Sequence, residues 1–103
     1  MKSSIPYVYL FVRDDLSIPQ QIVQTAHAVD CMRSDTTSDD VNHMVLIGAR
    51  GQDELIAIAR YLSDCDIKHE MFFEPDISAY TAIATQPLRG HMRSALKRYK
   101  LKQ

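Results

Sequence analysis

Two glutamines and a histidine repeat at helical spacing near the start of the chain. Gln20, Gln24 and His27 are separated by four and three residues, and Cys31 follows four residues later. On an α-helix this spacing puts all four side chains on one surface. Amides and an imidazole there can exchange hydrogen bonds with a carbonyl, a water or a ribose. The alternative is that His27 is partly buried against a backbone carbonyl and the glutamines are simply solvated.

Two carboxylates flank a proline further along the chain. Glu74 and Asp76 follow an apolar segment that predicts a strand. If that strand runs parallel to the first one, both carboxylates reach the sheet edge at which the glutamine-bearing helix begins. A carboxylate close to an imidazole can orient it or activate a water molecule. An ordinary Pro-Asp turn explains the same residues equally well.

The last quarter of the chain is basic, although the net charge is only −1. Residues 1–76 carry all thirteen carboxylates and six of the twelve Lys and Arg, for a charge of −7, whereas residues 77–103 carry +6. Arg89, Arg93, Lys97 and Lys100 would line up on one face of an α-helix. Such a stripe suits a phosphate backbone, and we predict that it makes a positioning contact with a nucleic acid. A solvated helix face is the alternative.

Strands and helices alternate at short intervals and must position these groups. Apolar, β-branched segments predict strands at 5–12, 43–48, 67–73 and 80–85. A helix capped by Ser17 or Ile18, with Pro19 in its first turn, should run to about residue 33, ahead of a polar loop at 34–41. A second helix follows residue 51, and Pro87 should start a third. The order βαβαββα predicts an α/β fold, a three-layer α/β/α sandwich with a four-stranded mixed sheet.

The apolar residues of the first helix predict which of its faces is buried. Ile22, Ala26 and Val29 lie on one stripe, which should face the core. In the last helix Leu88, Met92, Ala95 or Leu96, and Tyr99 should do the same, which would leave the basic residues on another face.

Length and composition set further bounds. The 103 residues, 46% of them hydrophobic and 24% charged, predict one soluble globular domain covering 1–103. Neither a membrane span nor a signal peptide is expected, and two distant cysteines are typical of thiols in a reducing cytoplasm. The spacing of the histidines and cysteines fits no zinc site, and the three glycines form no phosphate-binding loop. We therefore expect neither a metal nor a cofactor.

Three segments resemble the type-2 peptidyl-tRNA hydrolase family. Residues 12–28, VRDDLSIPQQIVQTAHA, resemble its signature of Val-Arg-x-Asp-Leu, a helix start and Gln-x-x-His-Ala. Residues 43–62 look like its second strand and the acidic start of the helix that follows. Residues 74–87, EPDISAYTAIATQP, resemble its hairpin and its Thr-Ala-x-Ala-x-x-Pro ending. The resemblance spans nearly the whole chain in one element order.

The resemblance implies hydrolysis of the ester between a peptide and tRNA, without a metal. It implies that the protein is cytoplasmic, that tRNA is its partner and that it can pair as a homodimer. In this sequence the implied catalytic residues are Gln20, Gln24, His27 and Glu74. The implied contacts to substrate or tRNA are made by Arg13, Asp76, Ser78, Arg89, Arg93 and Lys97.

The sequence departs from the family pattern at the proposed site. Gln20 stands where the family has a lysine, and the helix start is about two residues shorter. Glu74 takes the place of the family aspartate, and Ser78 is a loose substitute for a threonine whose loop is missing. Loss of a cationic donor commonly costs about 10²–10³ in rate. The alternative prediction is therefore a weakened or inactive module that binds RNA or a protein.

Overall fold

Four strands and two α-helices alternate along the chain. A computed structural model describes residues 5–33 and 42–101, so the loop predicted at 34–41 lies outside the described residues. The α-helices are α1 (Ile18–Arg33) and α2 (Gln52–Asp64). The strands are β1 (Tyr7–Arg13), β2 (His43–Ala49), β3 (His69–Glu74) and β4 (Ala79–Thr85). Short 3₁₀ turns cover Pro75–Ile77 and Gly90–Leu96. The predicted order of segments is confirmed.

The sheet is mixed, and its strand order is β2-β1-β4-β3. β1 and β2 pair in parallel, whereas β4 pairs antiparallel with both β1 and β3. β3 consequently runs in the same direction as β1, and the carboxyl ends of β1, β2 and β3 share one edge of the sheet. Ligands of open α/β sheets commonly bind at such an edge.

The two helices cover opposite faces of this sheet. On one face, Leu55 and Leu62 of α2 pack with Phe11 and Ile83, and all four side chains are fully buried. On the other face, Ala28 and Met32 of α1 pack against aliphatic residues of the strands, namely Val8, Leu10, Val12, Ala82 and Ala84. The predicted three-layer α/β/α sandwich is therefore observed.

The buried face of α1 differs from the predicted one. Ile22 is 64% exposed, Ala26 is exposed and Val29 is only half-buried. The buried positions are instead Gln21, Gln24, Ala28 and Met32. Two amides can lie inside because both have partners: the Gln21 side chain donates to the Leu16 carbonyl at 2.8 Å, and Gln24 is bonded in the site described below. The predicted core stripe Ile22–Ala26–Val29 was wrong.

The C-terminal segment does not form the predicted α-helix. Leu88 exchanges two backbone hydrogen bonds of 2.8 Å with Tyr7, so the chain is extended just after Pro87. Gly90 then adopts a left-handed conformation with φ 56°, and the residues up to Leu96 form 3₁₀ turns. Because 3₁₀ turns repeat every three residues, the basic side chains do not follow the predicted four-residue stripe. Within the described ranges, no helix has the length and apolar character needed to cross a membrane.

Candidate active site

The first turn of α1 is fixed by a reciprocal pair of hydrogen bonds. The Ser17 amide donates to Gln20 Oε1 at 3.0 Å, and the Gln20 amide donates to Ser17 Oγ at 3.3 Å. This is a capping box, with Ser17 as the cap and Pro19 in the first turn as predicted. Gln20 therefore also has a structural role, for which the Ser17-x-x-Gln20 spacing is the sequence signature. Its carbonyl oxygen is used in the cap, so its NH₂ group is the end that remains for a ligand.

A chain of three side chains connects α1 to the sheet. Thr81 Oγ1 donates to Gln24 Oε1 at 2.6 Å, and Gln24 Nε2 donates to Glu74 Oε1 at 2.9 Å. Thr81 is completely buried and Gln24 is 7% exposed. An ionised carboxylate can only accept, so Glu74 fixes which end of the Gln24 amide faces it. The structure thus brings the predicted Gln24 and Glu74 together.

Thr81 is the participant that the sequence reasoning missed. It lies on β4, in a stretch of five consecutive buried positions, 81–85. The available signal was a hydroxyl inside an otherwise apolar strand, which requires a partner when it is buried. The Thr81 hydroxyl satisfies the Gln24 carbonyl oxygen and so holds the amide in place.

Glu74 ends β3 and caps the 3₁₀ turn that follows. Its second carboxylate oxygen accepts a 3.4 Å hydrogen bond from the Asp76 amide. The pKa of Glu74 is lowered below its ordinary value. The hydrogen bond from Gln24 has the largest lowering effect, followed by the hydrogen bond from the Asp76 amide and by the charge of His27. The carboxylate therefore stays ionised well into the acidic range.

These groups open onto a cleft of about 320 Å³ at the carboxyl end of β3. One part of its wall is polar and is formed by Gln20, Gln24, Glu74, Asp76 and Thr81. The other part is apolar and is formed by Leu16, Pro19, Val23 and Ile77. The cleft can therefore hold a small group that has both a hydrogen-bonding end and an apolar end.

His27 lies beside this arrangement rather than within it. Its ring stacks on Phe72, with centroids 4.6 Å apart and an angle of 8° between the planes. The side chain is exposed and is not part of the cleft wall. It acts on the site through its effect on the pKa of Glu74.

Arg13 and Ser78 have local structural roles. The Arg13 guanidinium bonds to Asp15 at 3.0 and 2.8 Å and reaches the Tyr80 carbonyl at 3.4 Å. The Asp15 contact raises the pKa of Arg13 further above neutrality. Ser78 is left-handed, with φ 49°, and its amide closes the 3₁₀ turn by donating to the Pro75 carbonyl. Neither residue lines the cleft.

Arg93 packs against two tyrosines at the end of the sheet where β1 begins. Its guanidinium lies 3.5 Å from the centre of the Tyr7 ring and donates to the Tyr9 hydroxyl at 2.9 Å. The Tyr9 hydrogen bond is the main reason that the pKa of Arg93 is raised. Tyr7 begins β1, so Arg93 and the neighbouring Arg89 lie at its amino end. The cleft is at the other end, roughly 20 Å away along a seven-residue strand.

We expect Arg93→Met to lower the free energy of unfolding by about 1 kcal/mol, because the cation–π contact with Tyr7 is lost in a half-buried setting. Urea denaturation measures the change. Arg60→Met is the matched control, since Arg60 is exposed on α2 and should change stability by less than about 0.5 kcal/mol. Equal effects of the two substitutions would contradict a structural role for Arg93.

Known proteins define the fold of this chain but not its family. No family model matches the sequence, and no curated protein matches it. Among solved structures, a protein of unknown function, Atu0240 from Agrobacterium tumefaciens strain C58, is similar over the full length of both chains. The TM-score is 0.70 and the sequence identity is 16%. This likeness establishes a shared fold and no activity.

The described residues offer no metal site of the usual kind. Within residues 5–33 and 42–101, no three His, Cys, Asp or Glu side chains are grouped so that they could hold a metal ion. The polar groups that the cleft wall supplies are the Glu74 carboxylate with its hydrogen-bond partners, the exposed Asp76 and the Gln20 amide.

Proposed function

We propose that this chain hydrolyses the ester between an acyl group and the terminal ribose of tRNA; the resemblance to type-2 peptidyl-tRNA hydrolases implies that this acyl group is a peptide. The observation that carries the proposal is the Thr81–Gln24–Glu74 chain, which ends in an ionised carboxylate at the cleft. A positioned carboxylate can act as the general base that activates water for ester hydrolysis.

In the proposed reaction Glu74 accepts a proton from a water molecule as the water oxygen bonds to the ester carbonyl carbon. Gln20 Nε2 donates a hydrogen bond to the carbonyl oxygen, where negative charge develops. The ester C–O bond then breaks, and the proton on Glu74 passes to the departing ribose oxygen. The products are the free acid and tRNA. Gln20 brings no positive charge, so we expect a slower reaction than a lysine at this position would support.

The contact with tRNA would lie away from the cleft. We propose that the exposed Lys97, with Arg89 and Arg93, binds phosphates at the amino end of β1 while the acylated end of the tRNA reaches the cleft. The two regions are roughly 20 Å apart, a span that several nucleotides cover. We expect the cytoplasmic location to follow from this substrate, and fluorescence microscopy of a tagged chain tests it.

The test is release of the acyl group from purified aminoacyl-tRNA and from its N-acetylated form. The wild-type protein should release at least one of them, and Gln24→Ala should slow release at least 10-fold because Glu74 loses the donor that orients it. Gln86→Ala is the matched control, since Gln86 accepts from the Lys68 amide at the amino end of β3, far from the cleft. Equal rates for wild type and Gln24→Ala would contradict the proposed site.

A non-catalytic module that binds RNA is the second candidate. Two observations favour it: Gln20 brings no positive charge to the cleft, and the lowered pKa of Glu74 makes its carboxylate a weaker base. No turnover of either substrate, together with salt-sensitive tRNA binding, would select this candidate over the hydrolase.

We also propose that two copies pair through β2. This edge strand carries no Lys, Arg, Asp or Glu, and its Met44 and Leu46 are 57% and 38% exposed on the side of α1. An exposed groove of about 400 Å³ there includes Met44, Ile22 and Val29. The other edge strand, β3, is protected by two glutamates and a bulge. An uncharged, apolar edge is suited to antiparallel pairing with an identical strand.

We expect Met44→Lys to convert the dimer to a monomer, because a charge would be buried at the pairing edge. Light scattering after size-exclusion chromatography measures the mass. Met92→Lys is the matched control: Met92 is 39% exposed on the C-terminal segment and should leave the dimer intact. A wild-type mass of one chain at high micromolar concentration would rule out this pairing.

A further inference from the structure

The charges of the cleft have one sign. Glu74 and Asp76 line it, and no lysine, arginine or histidine belongs to its wall. One Glu74 oxygen accepts from Gln24 and the other makes a long bond to an amide, so the carboxylate retains lone pairs for a ligand. An ionised group of this kind favours a cationic ligand over an anionic one.

The start of α1 does not offset these charges. Helix amino ends bind anions through unused N–H groups, but here the Gln20 amide donates to Ser17 Oγ and the Gln21 amide donates to the Ser17 carbonyl. The Ser17 amide donates to Gln20 Oε1, and Pro19 has no N–H. A phosphate or carboxylate ligand in the cleft would therefore face two carboxylates and find few hydrogen-bond donors.

The remaining lining groups specify the rest of the ligand. The Gln20 NH₂ group can donate to a carbonyl oxygen, because the Gln20 carbonyl is held in the cap. Val23 and Ile77 are half exposed on the apolar wall and can contact a small aliphatic side chain. An α-aminoacyl group has these features. Its α-carbon carries an ammonium group, a carbonyl group and a side chain, which can be small and apolar.

We propose that the cleft selects an acyl group with an unblocked α-ammonium, that is, an aminoacyl rather than an N-acylated peptidyl group. Glu74 and Asp76 would face the ammonium group. Gln20 would face the carbonyl group, and Val23 and Ile77 would contact the side chain. This inference names a substrate class for the proposed site that differs from the peptidyl group implied by the resemblance, and it rests on the proposed function only for the fate of the ester. The selection itself is a property of binding.

The binding test compares valinamide with N-acetylvalinamide, which differ in the charged nitrogen but share the carbonyl and side chain. Side-chain amide signals of the glutamines, followed by NMR during titration, report occupancy of the cleft. We expect valinamide to bind at least 10-fold more tightly at pH 7. Glu74→Gln should reduce this preference at least fivefold, Asp76→Asn should reduce it less, and Glu70→Gln on β3 should leave it unchanged. Equal or tighter binding of N-acetylvalinamide, or binding of neither compound, would overturn the inference.

The turnover test separates this inference from the hydrolase proposal. Preferential binding of valinamide without release from any acylated tRNA would remove the hydrolase and keep the ammonium selectivity. Release from N-acetylvalyl-tRNA at least as fast as from valyl-tRNA would keep the hydrolase and overturn the selectivity. Release at least 10-fold faster from valyl-tRNA than from N-acetylvalyl-tRNA, with this ratio reduced in Asp76→Asn, is the result expected when both hold.

Discussion

Replacement of Glu74 with glutamine should lower kcat/KM for release of the acyl group by about 10²–10⁴-fold, the usual contribution of a positioned general base. Glutamine retains the shape of the side chain and a carbonyl oxygen that can accept from Gln24. It cannot take a proton from water, so the loss would be chemical rather than structural. Steady-state kinetics with acylated tRNA measure the change.

The control for this substitution is Glu70→Gln, which removes a carboxylate from the same strand without touching the cleft. It should leave kcat/KM within about twofold of the wild type. Unchanged activity in Glu74→Gln, with turnover in the wild type, would assign the reaction to another group. A loss of equal size in Glu70→Gln would mean that net charge, not position, supports the rate.

The pH dependence of the reaction gives a second measure of the same carboxylate. Since the pKa of Glu74 is lowered, chiefly by the Gln24 hydrogen bond, the rate should hold through the ordinary glutamate value of about 4.3 and fall only at lower pH. The stabilising effect of the ionised carboxylate should follow the same course and be lost as pH falls through the lowered pKa. Gln24→Ala should move the acidic limb of the rate profile to higher pH.

The sequence was sufficient to predict the frame of the site. β-branched strands and Pro-initiated or capped helices define the segment order, and the parallel direction of β1 and β3 follows from two intervening crossovers and a hairpin. That direction alone puts Glu74 at the edge where α1 begins. The 2.9 Å contact between Gln24 and Glu74 is therefore a consequence of topology as much as of local spacing.

The face that α1 buries could not be read from its hydrophobicity. Hydrophobicity alone assigns Ile22 to the core and Gln24 to the surface. Gln24 is nevertheless buried, because Thr81 and Glu74 form hydrogen bonds with its side-chain amide. Those partners are 57 and 50 residues away along the chain, and no helical period encodes them. The apolar side chains of α1 that lie outside the core form the exposed surface beside β2. We propose this surface as the pairing interface.

The C-terminal segment shows how one long-range contact can override a local pattern. Its residues have adequate helical propensity, but the two hydrogen bonds between Leu88 and Tyr7 hold the chain extended where a helix would begin. Arg93 then packs on Tyr7 and Tyr9 instead of joining a basic stripe. Arg93 could therefore contact a phosphate only with a side chain that already has a role in the fold.

The core beneath α2 should be the most sensitive part of the molecule. We expect Phe11→Ala to lower the free energy of unfolding by about 3–5 kcal/mol, the range for truncation of a buried aromatic ring. Phe11 is fully buried in the central strand β1 and meets the edge of Tyr99 at 5.3 Å, so the cavity would open between the sheet, α2 and the C-terminal segment. Such a loss is a large part of the stability of a domain of this size.

Phe73→Ala is the matched control for this prediction. Phe73 is also an aromatic residue of the sheet, but it is 45% exposed at the bulge of β3 and contacts only the edge of one ring, Tyr80, among the aromatic side chains described. Its truncation should cost about 1 kcal/mol or less. Urea denaturation of both variants, with the slope m compared to that of the wild type, measures the difference. Similar losses in the two variants would mean that Leu96 and Tyr99 of the C-terminal segment do not seal the core over Phe11.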